Sequence, residues 1–239
     1  MNYAHQENFE GYRIKIFYDD DPILNPRTYQ DNASTILAMH DRYNLSDEKT
    51  PKFNSGSEMV EYVKGLDALA VKSLYIYDHS GITISTTPFS CPWDSGQIGF
   101  VYVTKESMKR MGFKNEDMTI EKANEVIDIE VKEYDLYLKG EVYGYMIDGP
   151  GLNDSCGGYV GEMDYCLEDA RQMVRRHIED NKKALTQIND AQWKALATKC
   201  MRPVCPYCDE SFETEEKFIE HMKAHHASDV LKDISNANP

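Results

Sequence analysis

A short pattern of cysteines and histidines near residue 210 places the strongest constraint on how this 239-residue chain folds. Cys205 and Cys208 are separated by two residues, and twelve more precede His221. His225 follows after three residues and His226 after four, so either histidine can supply a fourth ligand. Two thiolates and two imidazoles suit tetrahedral zinc, and the spacing lets a hairpin provide the first pair and a helix the second. The sequence therefore predicts a zinc site.

Two aromatic residues fit the same segment. Phe212 lies four positions after Cys208, and Phe218 lies three before His221, where so small a unit needs its core. Without metal such a unit buries too little surface to fold, whereas zinc contributes about 10–16 kcal/mol of apparent binding free energy at neutral pH. In ligands, spacing and aromatic positions the segment resembles the CCHH zinc-finger family, which implies a ββα fold over 202–226.

The resemblance also implies a helix that can read DNA bases, and the residues at its contact positions argue against that role. Counting back from His221, these positions hold Thr214, Glu216, Lys217 and Glu220. Arginine, asparagine and glutamine are the side chains that read guanine and adenine most strongly, and none of them is present. Residues 203–226 carry six acids and two lysines, a net charge of 2 − 6 = −4 with neutral histidines. A structural or protein-docking finger is the favoured interpretation.

The whole chain is acidic, with 41 acidic against 26 basic residues and a formal net charge of −15. Such a field repels phosphate backbones and disfavours nucleic acid as a partner. It suits a basic protein partner, or it serves solubility alone. No apolar run is long enough for a membrane helix, and no signal peptide precedes the body. Cys91, Cys156, Cys166 and Cys200 form no disulfide pattern, so we expect a cytoplasmic protein.

Hydrophobic periodicity predicts an α+β fold, with a mixed or antiparallel sheet, packed helices, a helical connector and the small ββα finger. Alternating residues predict a strand over 12–18, and two strands joined by a turn at 79–81 over 73–86. Residues 97–104 read as another strand and 140–160 as a hairpin. Helical spacing covers 57–65, 120–138 and 165–199, the last stretch holding a second short helix over 191–199. We therefore expect an acidic body over 1–162, a connector over 163–201, the finger over 202–226 and a flexible tail over 227–239.

Four segments of the body resemble uncharacterised proteins of bacteriophages and other mobile elements: 18–27, 42–48, 91–103 and 134–145. The resemblance implies a genetic setting and no mechanism. Since small acidic phage proteins often bind a host enzyme, it favours a non-enzymatic zinc protein that binds a host protein in the host cytoplasm and inhibits a nucleic-acid-handling or defence enzyme. One alternative is a nucleic-acid-binding regulator in which the finger assists other elements.

A second alternative is a cysteine-dependent hydrolase. Cys91, His79 and Asp94 flank predicted strands, and a cysteine nucleophile needs a histidine base within hydrogen-bond reach. A proline follows Cys91, and no helix N-terminus is present to lower the pKa of its thiol. A buried cysteine and a turn histidine are the simpler interpretation, and we expect Trp93 to pack in the core.

Overall fold

Two antiparallel sheets organise the chain, and the computed structural model describes residues 3–47, 50–193 and 204–237. The strands are β1 (Tyr3–Phe9), β2 (Tyr12–Tyr18), β3 (Ser34–Ala38), β4 (Ala68–Asp78), β5 (Ile82–Ser85), β6 (Ser95–Thr104), β7 (Val142–Gly149) and β8 (Leu152–Val160). The helices are α1 (Pro26–Tyr29), α2 (Gly56–Lys64), α3 (Lys105–Arg110), α4 (Ile120–Leu138), α5 (Met163–Leu185), α6 (Glu215–His225) and α7 (Ala227–Ala237), with 3₁₀ turns at Pro22–Leu24 and Asn115–Asp117. The predicted α+β class with antiparallel sheets is confirmed.

The first sheet has the order β1-β2-β7-β8 and is covered on one face by α5. Alternation in β2 points Tyr12, Ile14 and Ile16 to the buried face. They pack with an apolar stripe of α5 whose members recur every three or four residues: Leu167, Ala170 and Val174. The predicted connector over 163–201 is therefore wrong for its first half, since burying this stripe makes α5 the second layer of the sheet.

The second sheet has the order β3-β6-β4-β5, and α4 packs on it. Both edge strands have backbone amides bonded to side chains. Asp47 Oδ2 accepts from the Ile36 amide of β3 at 2.9 Å, and Asp135 Oδ1 accepts from the Ile84 amide of β5 at 2.8 Å. These carboxylates occupy positions at which another strand would otherwise pair.

The chain divides into two compact units with boundaries that differ from the predicted ones. The first unit is Met1–Tyr18 with Tyr143–Pro239, and the second is Asp19–Val142. The predicted body over 1–162 is divided between them because β2 pairs with β7, which places residues far apart in the chain in one sheet.

The predicted flexible tail over 227–239 is also corrected. Residues Ala227–Ala237 form α7, because Ala227 and Val230 are buried against the finger and order the segment. Helical conformation begins again at residue 190. The cap is Asn189, whose side chain accepts a hydrogen bond from the Gln192 amide. The cap therefore lies one residue before Asp190, the predicted capping residue. The rest of the helix predicted over 191–199, Cys200 and the 201–202 boundary lie outside the described residues. Within the described ranges, every helix is too short or too polar to span a membrane.

Candidate metal centre

The first two predicted ligands lie in a tight turn. An isolated bridge between Val204 and Ser211 closes the turn, and the Cys205 amide donates to the Glu210 carbonyl at 2.7 Å. Asp209 adopts a left-handed conformation with φ of 58°, which aspartate tolerates better than most residues. The hairpin of the predicted ββα unit is thus reduced to one bridge.

The helix of the finger is α6, and its start follows from its sequence. The Thr214 hydroxyl caps it by accepting from the Lys217 amide. One turn further, Phe218 is buried and packs against Phe212 with ring centroids 6.0 Å apart. Both aromatic positions expected from the sequence therefore lie in the core of the finger.

Four of the predicted ligands converge. One ligand atom from each of Cys205, Cys208, His221 and His226 lies within 4.8 Å of the others, and all four residues except Cys208 are buried. Cys208 Sγ is 3.3 Å from His221 Nε2. Tetrahedral zinc with bonds of about 2.0–2.3 Å would separate its ligand atoms by roughly 3.3–3.8 Å, so the four atoms need only a small contraction. The cluster can hold a metal ion.

The fourth member of the cluster is His226, and His225 is outside it. His226 Nε2 is a buried polar nitrogen without a hydrogen-bond partner among the described residues. A buried polar atom without a partner costs about 1–3 kcal/mol unless another group satisfies it. A metal ion at the cluster would provide that partner, so the residues fit a metal site.

Carboxylates approach the other nitrogen of each histidine. Asp229 Oδ2 is 3.4 Å from His226 Nδ1, and Glu210 Oε2 is 3.4 Å from His221 Nδ1. Histidines that bind metal commonly face a carboxylate with the non-ligating nitrogen, which fixes the ring and its tautomer. Both rings therefore leave Nε2 for the metal.

Burial keeps the ligand groups Cys205, His221 and His226 uncharged at neutral pH. Burial raises the pKa of Cys205 to about 11, so the free thiol stays protonated at neutral pH. Burial lowers the pKa of His221 and of His226 below the ordinary imidazole value, which keeps both rings neutral. Neutral imidazoles are ready ligands, whereas the thiol needs a nearby positive charge to become a thiolate.

The metal cluster belongs to a core larger than the finger. Cys205, Phe218 and Met222 share a hydrophobic cluster with residues of α5, α7 and the segment between α5 and the finger: Ala184, Ile188, Trp193, Ala227 and Val230. The ring of Tyr207 stacks on His226 at 5.2 Å, and its hydroxyl donates to Asp233 of α7. The finger is thus built into the first unit.

The three residues considered for a hydrolase, Cys91, His79 and Asp94, lie close together, but the histidine is not placed to act as a base for the cysteine. Asp94 Oδ2 lies 4.0 Å from Cys91 Sγ and 3.4 Å from His79 Nδ1. The described hydrogen bonds include none between Cys91 and His79. The carboxylate, not the imidazole, is therefore beside the thiol. The expectation that Trp93 packs in a core is wrong, since 90% of its side chain is exposed.

Several residues around the metal cluster were missed in the sequence. Asp229 lies three positions after His226, a spacing that could have indicated it. Asn181 and Gly151 contact the same site from α5 and from the β7–β8 turn, and no local pattern marks them. Comparison of the chain with protein-family models, curated proteins and solved structures gave no match.

Proposed function

We propose that this chain is a non-enzymatic, zinc-dependent protein that binds another protein. The observation that carries the zinc assignment is the convergence of two sulfur and two imidazole ligands with His226 Nε2 buried and unpartnered. Sulfur and nitrogen ligands in a closed, four-residue set are typical of structural zinc, because catalytic sites keep a position open for substrate. The zinc holds the core formed by α5, α6 and α7.

Metal analysis tests the zinc assignment. The purified full chain should contain one zinc per molecule. Replacement by cobalt should give the visible absorption of a tetrahedral site with two sulfur ligands. The Cys91→Ser variant is the matched control, because Cys91 is a free cysteine of the other unit, and its zinc content should equal that of the wild type. A wild-type stoichiometry well below one would contradict the zinc site.

Charge at the surface of the finger supports a protein partner over nucleic acid. The outward residues of α6 are mostly acidic, and Glu215, Glu216 and Glu220 are all exposed. Lys217 pairs with Glu213 at 3.1 Å, which offsets part of its charge. A helix that enters a DNA groove needs exposed cations to displace counterions. This surface repels phosphates and favours a basic partner.

Trp93 supplies a contact point for such a partner. It lies in the loop between β5 and β6, beside the exposed Pro92 and the acidic Asp94. Tryptophan is enriched among the few residues that carry most of the binding energy at protein interfaces. The proposed partner therefore has an apolar pocket with basic residues at its rim. The resemblance of the body to phage proteins supports a host protein, such as a nucleic-acid-handling or defence enzyme that the chain inhibits.

Substitution of Trp93 tests the proposed surface. A partner captured from bacterial lysate and then purified should bind Trp93→Ser at least about 30-fold more weakly than the wild type, as for a hot-spot residue. The rate at which this partner associates with the wild-type chain should fall as the salt concentration rises. Ile120→Ser is the control, because Ile120 is also exposed in the same unit. A partner that binds Trp93→Ser as tightly as wild type would contradict the surface, and salt-sensitive binding to duplex DNA would favour the nucleic-acid-binding regulator.

A further inference from the structure

The choice between two adjacent histidines requires an explanation, because their rings are equally near the ring of His221. The centroid of the His225 ring lies 5.2 Å from that of His221, and the centroid of the His226 ring lies 5.1 Å from it. Both spacings from His221 occur in zinc sites of this ligand type. Proximity and spacing therefore do not explain why His226 joins the cluster and His225 does not.

Helix geometry alone would favour His225. Residues four apart lie on the same face of an α-helix, so His225 follows His221 on one side of α6. A residue five positions on is rotated by about 140° from the first and points away. His226 reaches the cluster because α6 ends at His225 and His226 leaves the helical conformation, with φ of −129°. The break between α6 and α7 thus brings the second ring inward.

Asn181 of α5 holds this break from one side. Its side chain is buried at 3% exposure, and Nδ2 donates to the His225 carbonyl at 2.9 Å. Its Oδ1 accepts from both the amide and the hydroxyl of Ser228, at 3.0 and 3.1 Å. One amide therefore bonds the last residue of α6 and the first turn of α7.

Gly151 of the β7–β8 turn approaches the same peptide from another element. A Cβ atom at this position would lie 2.9 Å from the carbonyl carbon of His225 and 3.1 Å from Cε1 of His226. Only a residue without a side chain allows this approach. The peptide between the two histidines is thus enclosed by α5 and the turn.

We propose that Asn181 and Gly151 are positioning residues that select His226 over His225 as the fourth metal ligand. They fix the end of α6, and loosening either contact lets the helix continue, so that His225 can bind the metal as well as His226. This inference rests on the proposed zinc site and adds to it a coupling: the ligand set depends on how α5 and the β7–β8 turn pack against the finger.

The test compares the zinc affinities of His226→Phe and His225→Phe in several backgrounds. Phenylalanine keeps an aromatic ring and removes the ligand. In the wild-type background, His226→Phe should weaken binding by roughly 100-fold or more, since one of four ligands is lost, and His225→Phe should change it by less than about tenfold. In the Asn181→Leu background this difference should disappear, because either ring can then serve.

Gly151→Ala provides an independent second background and should reduce the difference in the same way. Gly11→Ala is the control for Gly151→Ala. Both glycines have a positive φ, 85° at Gly11 and 72° at Gly151, but a Cβ atom at Gly11 would meet no atom within 4 Å. Long-range nitrogen NMR of the imidazoles should show a metal-bound His225 in Asn181→Leu and a metal-bound His226 in wild type and Gly11→Ala.

Two results would overturn the proposal. In the first, His226 stays the bound ring and the difference persists in both the Asn181→Leu and Gly151→Ala backgrounds. In the second, both backgrounds lose zinc more completely than His226→Phe does, which would mean that these residues support the whole site and do not choose the ligand. A wild-type chain that binds no zinc would instead overturn the proposed function, so the two failures are distinguishable.

Discussion

Replacing Cys205 with serine is expected to remove zinc and unfold the core around it. Cys205 is fully buried among the residues that join α5, α6 and α7. If four ligands share about 10–16 kcal/mol of apparent zinc binding, losing one weakens the affinity by roughly 100-fold to 1,000-fold. The expected result is a chain that loses zinc at micromolar concentrations and whose α7 separates from the finger.

Tryptophan fluorescence measures this unfolding directly. The chain has two tryptophans, and Trp193 packs in the metal-linked core at 3% exposure, whereas Trp93 is exposed. In a Trp93→Phe background the emission reports Trp193 alone. Cys205→Ser should shift this emission to the red, to the position that a chelator produces in the parent chain.

Cys156→Ser is the control for the cysteine substitution. Cys156 is exposed and lies outside the cluster, so both zinc affinity and emission should stay those of the parent. A Cys205→Ser chain that keeps stoichiometric zinc and a blue-shifted Trp193 would show that this thiol is not a ligand.

The ligands were predictable where their geometry is local. Cys205 and Cys208 lie in one turn, and His221 lies on the helix that follows it. The sequence spacing alone is therefore enough to bring three of the four ligands together. The choice of His226 was not predictable, because we propose that it depends on Asn181 and Gly151, which contact the His225 peptide from distant parts of the chain.

The same distinction applies to the fold. Alternation located β2, and helical spacing located α4 and α5, since burial of one face leaves a periodic pattern. The division into units depends on the pairing of Ile14 with Ile147, and neither segment identifies its partner strand. Helix α7 was missed because polar residues outnumber the apolar ones in 227–239, although Val230 and Ile234 stand four apart.

Replacing Arg27 with methionine is expected to destabilise the second unit strongly. Its side chain is only 5% exposed, and it bonds both oxygens of Asp47, at 2.9 and 2.6 Å, and Glu130 at 3.3 Å. Glu130 also accepts from the amides of Ala33 and Ser34, both at 2.9 Å. Removing one partner from a buried pair leaves charges without compensation and costs about 3–5 kcal/mol.

Amide exchange in the β6 strand measures this loss within the second unit. Under conditions in which exchange follows the opening equilibrium, 3–5 kcal/mol corresponds to exchange that is faster by about 100-fold to several thousand-fold. The expected result for Arg27→Met is faster exchange throughout the strand, because Arg27 joins α1 to β3 and α4, which pack with β6.

Lys64→Met is the matched control, since it removes another cation–carboxylate pair from the same unit. Lys64 bonds Glu61 at 2.7 Å, but the two side chains are 67% and 72% exposed, so water replaces the lost partner and the cost is about 0–1 kcal/mol. Equal exchange rates in the two variants would contradict the argument, because burial is what distinguishes the two pairs. A rate difference that vanishes when Asp47→Asn and Glu130→Gln are added to Arg27→Met would assign the cost to the two carboxylates left behind.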